Sequence, residues 1–425
     1  MIYDIIGIGI GPFNLGLAAL ASDIPDLNCI FFDQREGFDW HSGLLLPTAR
    51  MQVPYYADLV TLVQPTSRFS YFSFLHAKKR MFRFAIQDNP FPLRREYNEY
   101  CQWVCGQLPS LHFGYTCINV SYVEDTRVYT VQVEDANKAV TTFHGKHIVI
   151  GIGMVPYVPA CAKGLEHPAV FHASEYLFKK ENLANKNRIT IIGSGQSAAE
   201  IFQDLLSSGH ATRQLAWFTR SPRFFPMESS KLSWEMTSPD YIDYFCKLPA
   251  ATKRTIVAQQ AALYKGINQA LISDIYDQLY VNSLDGGDQR IKLFSNCVLQ
   301  KMVSEEGVLH LEFKHTEEGQ SFCHSTDAVI LATGYCHTIP AFVKSIVDCI
   351  EWTPNGQYLI KRNYSIDRHI QLFVQNADLL THGFNSADLG MGPYRNAVIL
   401  NNILGYEHFV LEKNIAFQTF GVLKT

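Results

Sequence analysis

The chain opens on an apolar run punctuated by glycines: Ile2-Tyr3-Asp4-Ile5-Ile6-Gly7, then Ile8-Gly9-Ile10-Gly11-Pro12. A short run of this kind, bounded by turn residues, predicts a strand buried on both faces. From Phe13 to Leu20 the pattern becomes helical, with the small residues Gly16, Ala18 and Ala19. A second apolar run, Asn28-Cys29-Ile30-Phe31-Phe32, ends in Asp33. The same succession returns at Arg188-Ile189-Thr190-Ile191-Ile192, then Gly193-Ser194-Gly195-Gln196-Ser197-Ala198, then a helix through Leu205 and a strand over Gln214–Arg220. Two more buried strands are predicted, His147–Ile150 running into Gly151 and Gly153, and Asp327–Tyr335 followed by a turn. Residues 221–283 read as helical or irregular, 291–313 as alternating strands, and Asn396–Leu404 as an apolar helix closing the first unit.

Strand, glycine turn, helix and strand in that order form a phosphate-binding unit. In the first, Gly7 is placed at the tight turn after the strand. Gly9 is placed where the backbone nears a pyrophosphate, with Gly11 following and Pro12 in the slot of a third glycine, at a helix start that lacks nothing by losing an N–H. Asp33, 26 residues beyond Gly7, is the expected acceptor for a ribose 2′-hydroxyl. In the second unit Gly193, Gly195, Gln196 and Ser197 form the loop, and the position 26 residues beyond Gly193 is Thr219, followed by Arg220, with Arg223 close behind. An acid there would repel a 2′-phosphate, whereas a guanidinium can grip one; the competing reading is an ordinary solvated arginine at a strand end. The first site therefore suits a dinucleotide with a free diol, such as FAD, and the second NADPH.

The expected fold class is α/β, with two Rossmann-like dinucleotide-binding domains, the second inserted into the first. The FAD-binding domain is expected over 1–175 and 331–425, and the NADPH-binding domain over 186–330, its insertion 221–283 reaching the substrate region. The connection 40–75, aromatic and broken by prolines, follows the first unit. Loops at the carboxyl ends of strands house ligands, which puts Trp40 and Gln52 beside a flavin unless they merely fill the core.

At 425 residues the chain calls for two or three domains, and 47% hydrophobic with 18% charged residues describes a globular protein. A net charge of -4 without arginine–aromatic interleaving gives no reason to expect nucleic acid as a partner. No apolar run reaches the length of a membrane-spanning helix and no leader opens the chain, so no membrane is expected and the protein is expected in the cytoplasm. Ten scattered cysteines fit reduced core thiols there. The one close pair, Cys101 and Cys105, has the wrong spacing for a redox disulfide, and no metal site is expected.

Across nearly its whole length the sequence resembles the flavin-dependent N-hydroxylating monooxygenases of siderophore biosynthesis, the lysine, ornithine and diamine N-monooxygenases. The matching pieces are Gly9-Ile10-Gly11-Pro12, Leu45-Leu46-Pro47, Met51-Gln52-Val53, Asp58-Leu59-Val60-Thr61, Phe171-His172-Ala173-Ser174-Glu175, Gly193–Glu200, Ala332-Thr333-Gly334-Tyr335 and Thr381-His382-Gly383. Of the fuller box of sister flavin monooxygenases only His172 and Tyr176 are present. The resemblance implies that NADPH reduces FAD, that O2 adds to the reduced flavin as a C4a-hydroperoxide, and that a neutral primary amine takes the distal oxygen. It places Gln52 and Trp40 at the flavin in the catalytic centre, Gln196 and Ser197 on NADP(H), Arg220 at its phosphate and His382 among the cofactor contacts. It also implies a homo-oligomer, often a tetramer.

Ala57 departs from the pattern. Members acting on lysine or ornithine carry a lysine there that pairs with the substrate α-carboxylate; an alanine would leave that carboxylate buried and uncompensated. The departure favours a substrate without the carboxylate, putrescine or cadaverine, with histamine possible. Lysine held by another basic residue, or a flavoprotein reductase or oxidase that never hydroxylates, are the alternatives. Tyr55 joins Ala57 in the expected substrate region, and Asp388 or Glu228 is expected to meet a distal ammonium.

Overall fold

The computed structural model describes residues 1–208, 212–284 and 287–422. The strand Ile2–Ile8 lies parallel between Cys29–Asp33 and Val140–Ile150 at the centre of the first sheet, with Leu111–Phe113 parallel on the outside of Cys29–Asp33. Val140–Ile150 is long enough to carry two neighbours on its far side. Its first half pairs antiparallel with Val128–Glu134, which pairs with Thr116–Val123, and its last residues pair parallel with Leu372–Val374. The helix Pro12–Ala21 packs on this sheet against the C-terminal helix Met391–Leu404. Their close approach relies on Gly16, where a β-carbon would stand 3.0 Å from Asn396 Nδ2 of the C-terminal helix and 2.8 Å from the Leu59 carbonyl. The C-terminal helix begins five residues before the predicted Asn396. Pro393 did not delay it, because its missing N–H falls in the first turn, where no intrahelical partner is needed.

The second sheet is all parallel, in the order Ile291–Phe294, Gln214–Phe218, Arg188–Ile192, Ala328–Leu331, Val170–His172. The last strand, Val170–His172, pairs in this second sheet, whereas the sequence reading placed 170–175 with the first unit. Val155–Pro156 pairs antiparallel with Tyr335–Cys336. A three-residue strand is too short to show a period. The insertion folds as helices Lys231–Trp234, Pro239–Cys246, Ala250–Gln259 and Gln269–Leu284. Leu44, Leu46 and Ala49, from the long connection in the first domain, are buried in the core of the second together with Phe171, Ile191, Ile201 and Trp217. Gly43 permits this contact: a β-carbon there would lie 1.8 Å from the Ser174 carbonyl. Among the described residues no helix is long and apolar enough to cross a membrane.

Candidate functional site

The two phosphate loops superimpose in their hydrogen bonding, and this corrects the register of the first. The N–H of Gly9 donates to the Phe32 carbonyl at 2.7 Å, as that of Gly193 donates to Phe218 at 2.9 Å. Gly9 (φ +89°) and Gly193 (φ +146°) take the turns in the region that only glycine enters readily. Gly7 is a strand residue; a β-carbon there would stand 2.0 Å from the buried Phe31 ring, so it is a packing glycine. The two helices start after Gly11 and Gly195, neither of which offers a capping side chain. At Gly11 and Gly195 a β-carbon would meet protein atoms only at 3.9 Å and 3.6 Å. An open glycine before a helix with free N–H groups is the cradle a pyrophosphate needs, so both loops fit a dinucleotide. Pro12 is the first helical residue, and the third-glycine slot of the first loop is Asn14. Its amide is buried, donating at 2.8 Å to the Gly9 carbonyl and at 3.3 Å to Val149.

The residue after each strand-end carbonyl still distinguishes the two sites. Asp33 is buried, and its carboxylate takes the N–H of Ile10 at 2.7 Å, the N–H of Arg35 at 2.9 Å and the Arg35 guanidinium through Nε and Nη2. Burial opposes its ionisation, but these donors hold its carboxyl below the usual carboxylate range. Asp33 therefore also braces the first loop, beyond the ribose contact expected of it, and Arg35 is a partner the sequence reading missed. In the second site Thr219 is buried, its hydroxyl accepting the Ser221 N–H, while Arg220 and Arg223 are exposed. Arg220 has a companion there, also unforeseen: burial, and then the nearby charge of Arg220, lower the Lys265 ammonium pKa. The Lys265 carbonyl is the atom nearest an added β-carbon on Gly195, so the backbone of that residue borders the second cradle. Replacing Arg220 with alanine is expected to raise the KM for NADPH about tenfold while leaving that for NADH nearly unchanged. Initial rates with both coenzymes check this, and an equal change for the two would remove Arg220 from phosphate recognition.

Gln52 meets the second loop across the domain boundary. Its Nε2 donates to the Gly266 carbonyl at 3.1 Å and to Gln196 Oε1 at 3.4 Å. Gln196 Oε1 also accepts the Asn268 N–H at 2.8 Å, and Ser197 stands next to it in the first turn of the helix. Trp40 is half-buried between His41 and Tyr97, with ring centroids at 4.3 Å and 5.6 Å. His172 lies between Ser174 and the Gly334 carbonyl.

Ala57 and Asp388, 331 positions apart in sequence, come together. A β-carbon on Gly390 would stand 3.0 Å from Asp388 Oδ1 and 3.4 Å from the Ala57 β-carbon. Asp388 Oδ1 accepts the N–H groups of Gly390 and Met391 at 2.8 and 3.3 Å. Burial pushes its carboxyl up, against the pull of those donors and of Arg395.

Three further assigned residues have the following surroundings. His382 is fully buried: Nε2 faces the Arg362 carbonyl at 3.1 Å, Nδ1 faces Thr381, and its ring stacks on Tyr364 at 4.3 Å. Burial holds its pKa near 4, despite the neighbouring Asp378, so it is a neutral core histidine with no ring nitrogen free for a cofactor. Glu228 is exposed and bonded to Ser233 at the start of a short helix. Tyr55 packs among Tyr56, Phe72 and Phe84. The close thiol pair, Cys101 and Cys105, lies one turn apart on the helix Arg94–Cys105; burial pushes Cys105 up to about 12 and Cys101 up as well, the reverse of an activated thiol.

The family model of L-lysine 6-monooxygenase/L-ornithine 5-monooxygenase matches residues 1–337. The chain belongs to the flavin-dependent N-hydroxylating monooxygenases. It is thus an FAD- and NADPH-dependent enzyme of mixed α/β fold with two dinucleotide-binding domains. It is 46% identical over 424 residues to a putrescine N-hydroxylase of Shewanella oneidensis, covering 99% of this chain and 84% of that one. Its structure is similar to that of a cadaverine monooxygenase of desferrioxamine biosynthesis from Erwinia amylovora bound to FAD. The TM-score is 0.98 and the identity 46%, over 100% of both chains. An ornithine N-hydroxylase from Kutzneria sp. 744, with reduced FAD, NADP+ and L-ornithine, aligns at TM-score 0.88 and 25% identity over 95% of this chain and 99% of that one.

Proposed function

We infer that this monooxygenase N-hydroxylates one amino group of a small diamine lacking an α-carboxylate, putrescine or cadaverine ahead of histamine, in siderophore biosynthesis. The observation that carries the reading is the pairing of Ala57 with Asp388 around Gly390. Where an amino-acid substrate would need a cation for its carboxylate, this site offers a methyl group and an acid, which suits a second ammonium. The relatives that act on putrescine and cadaverine support the same substrate class.

In this reading the chain's own residues bind and orient. Bound FAD supplies the oxygen-transfer chemistry and NADPH the electrons. Gly11 and Gly195 let the two pyrophosphates approach, Gln52 and Gln196 close the seam between the cofactor sites, and Asp388 holds the distal ammonium. The reacting amine must give up its proton to present a lone pair, so the two ends of the substrate need opposite protonation states. A single acid at one end selects for that.

The test is hydroxylamine formation from putrescine, cadaverine, histamine, ornithine and lysine with NADPH and O2. Product from a diamine is expected to exceed that from either amino acid; product from ornithine or lysine alone would refute the reading. An Ala57→Lys variant should raise the diamine KM at least about tenfold, since the new ammonium would pair with Asp388 and repel a dication. An unchanged KM would take residue 57 away from the substrate.

A further inference from the structure

The connection in the first domain and the second phosphate loop are joined by a buried ionic relay. Arg94 and Glu200 are 9% and 4% exposed. The guanidinium grips both carboxylate oxygens, Nη1 to Oε2 at 2.8 Å and Nη2 to Oε1 at 2.7 Å. Nη1 also donates to the Leu44 carbonyl at 2.8 Å. On its other side Glu200 Oε1 accepts Gln196 Nε2 at 2.8 Å. His41, which also faces Arg94, adds no second cation there: burial first, and then Arg94 itself, push it down to about 3 and keep it neutral.

An isolated carboxamide is free to exchange its oxygen and nitrogen ends. Here it is not, because a carboxylate accepts and never donates. Glu200 can be met only by the Gln196 amide nitrogen, and this turns Oε1 toward two donors, the Asn268 N–H and Gln52 Nε2. We propose that Arg94 and Glu200 are positioning residues: their ion pair fixes the orientation of the Gln196 carboxamide and thereby the register of the second dinucleotide loop against the Gln52 segment of the first domain. The circuit Leu44–Arg94–Glu200–Gln196–Gln52 leaves the first domain and returns to it through a second-domain helix. It adjusts the seam that a nicotinamide must cross to reach a flavin, so it rests on the two-cofactor assignment and not on the identity of the amine.

The experiment uses the FAD-loaded protein and no amine, so it stands whether or not the diamine reading does. NADP+ affinity is measured by calorimetry, and the rate of flavin reduction by NADPH is followed anaerobically. Glu200→Gln keeps the volume but can present either end of its amide to Gln196. The expected result is NADP+ binding weakened and flavin reduction slowed about tenfold each, the worth of one net hydrogen bond, with FAD content unchanged. The paired variant Arg94→Met with Glu200→Met removes both charges, leaves no lone buried ion and is expected to fold. It should show the same two losses. Wild-type affinity and reduction rate in either variant would overturn the proposal. So would losses in Glu200→Gln that the paired variant relieves, because those would belong to an unpaired arginine and not to a misaligned carboxamide.

Discussion

Replacing Asp388 with asparagine should raise the KM for putrescine or cadaverine about 30-fold or more while NADPH still reduces the flavin at the wild-type rate. The size follows from leaving one member of a desolvated charge pair without its partner, which costs at least about 2 kcal/mol. Fold damage is not the expected cause, because an asparagine oxygen can still accept the Gly390 and Met391 N–H groups that Asp388 Oδ1 accepts now. The pH profile gives a second reading. Burial has already raised the Asp388 pKa in the free enzyme, so protons compete with the diamine at the acid end. kcat/KM should therefore fall on acidification at a higher pH than an ordinary carboxylate would produce, and Asp388→Asn should remove that part of the decline. The alkaline side should be common to both forms, since there the gain comes from deprotonating the amine that reacts. Steady-state kinetics with a diamine across pH decide it; an unchanged KM in the variant would send the search for the ammonium receptor elsewhere.

The parts of this site that could be read in the sequence are those made by residues close along the chain. Each glycine loop lies within a dozen residues, and both loops were recognisable. Even so, glycines at 7, 9 and 11 allow two registers of the first loop. Only the positive φ of Gly9 and its bond to Phe32 show that the loop starts two residues later than spacing suggested. Ala57 was conspicuous as a missing charge, but its pairing with Asp388 is a contact between the connection after the first unit and the turn before the last helix. The Arg94–Glu200 pair is a long-range contact too, although Arg94 left a local trace. Two arginines, Arg94 and Arg95, open a helix, where a positive charge opposes the helix dipole, and such a cost invites a search for a partner. His382 went the other way. Its motif suggested a cofactor contact, and tertiary burial made it a core residue stacked on Tyr364.

The open glycines offer the sharpest separation of the two cofactor sites. Gly11 and Gly195 have backbone angles of φ -89°, ψ 179° and φ -93°, ψ -175°, which alanine adopts without strain. The protein leaves room for the added methyl group, with the nearest atoms at 3.9 Å and 3.6 Å. The space it fills is the one a pyrophosphate needs. Gly195→Ala should therefore retain FAD and its melting temperature while NADP+ binding weakens on the order of 100-fold, the scale of a methyl forced into a filled contact. Gly11→Ala should fold but purify with little FAD. Gly9→Ala and Gly193→Ala provide the contrast, since their β-carbons would lie 2.6 Å from the Gly151 carbonyl and 2.0 Å from that of Ala332, at positive φ. Those two should lose stability as well as ligand. Flavin content, calorimetric NADP+ affinity and thermal melts on the four variants check the scheme. If Gly195→Ala bound NADP+ normally, the second cradle would not be where the coenzyme's phosphates lie, and the difference between Asp33 and Arg220 would lose its meaning for cofactor choice.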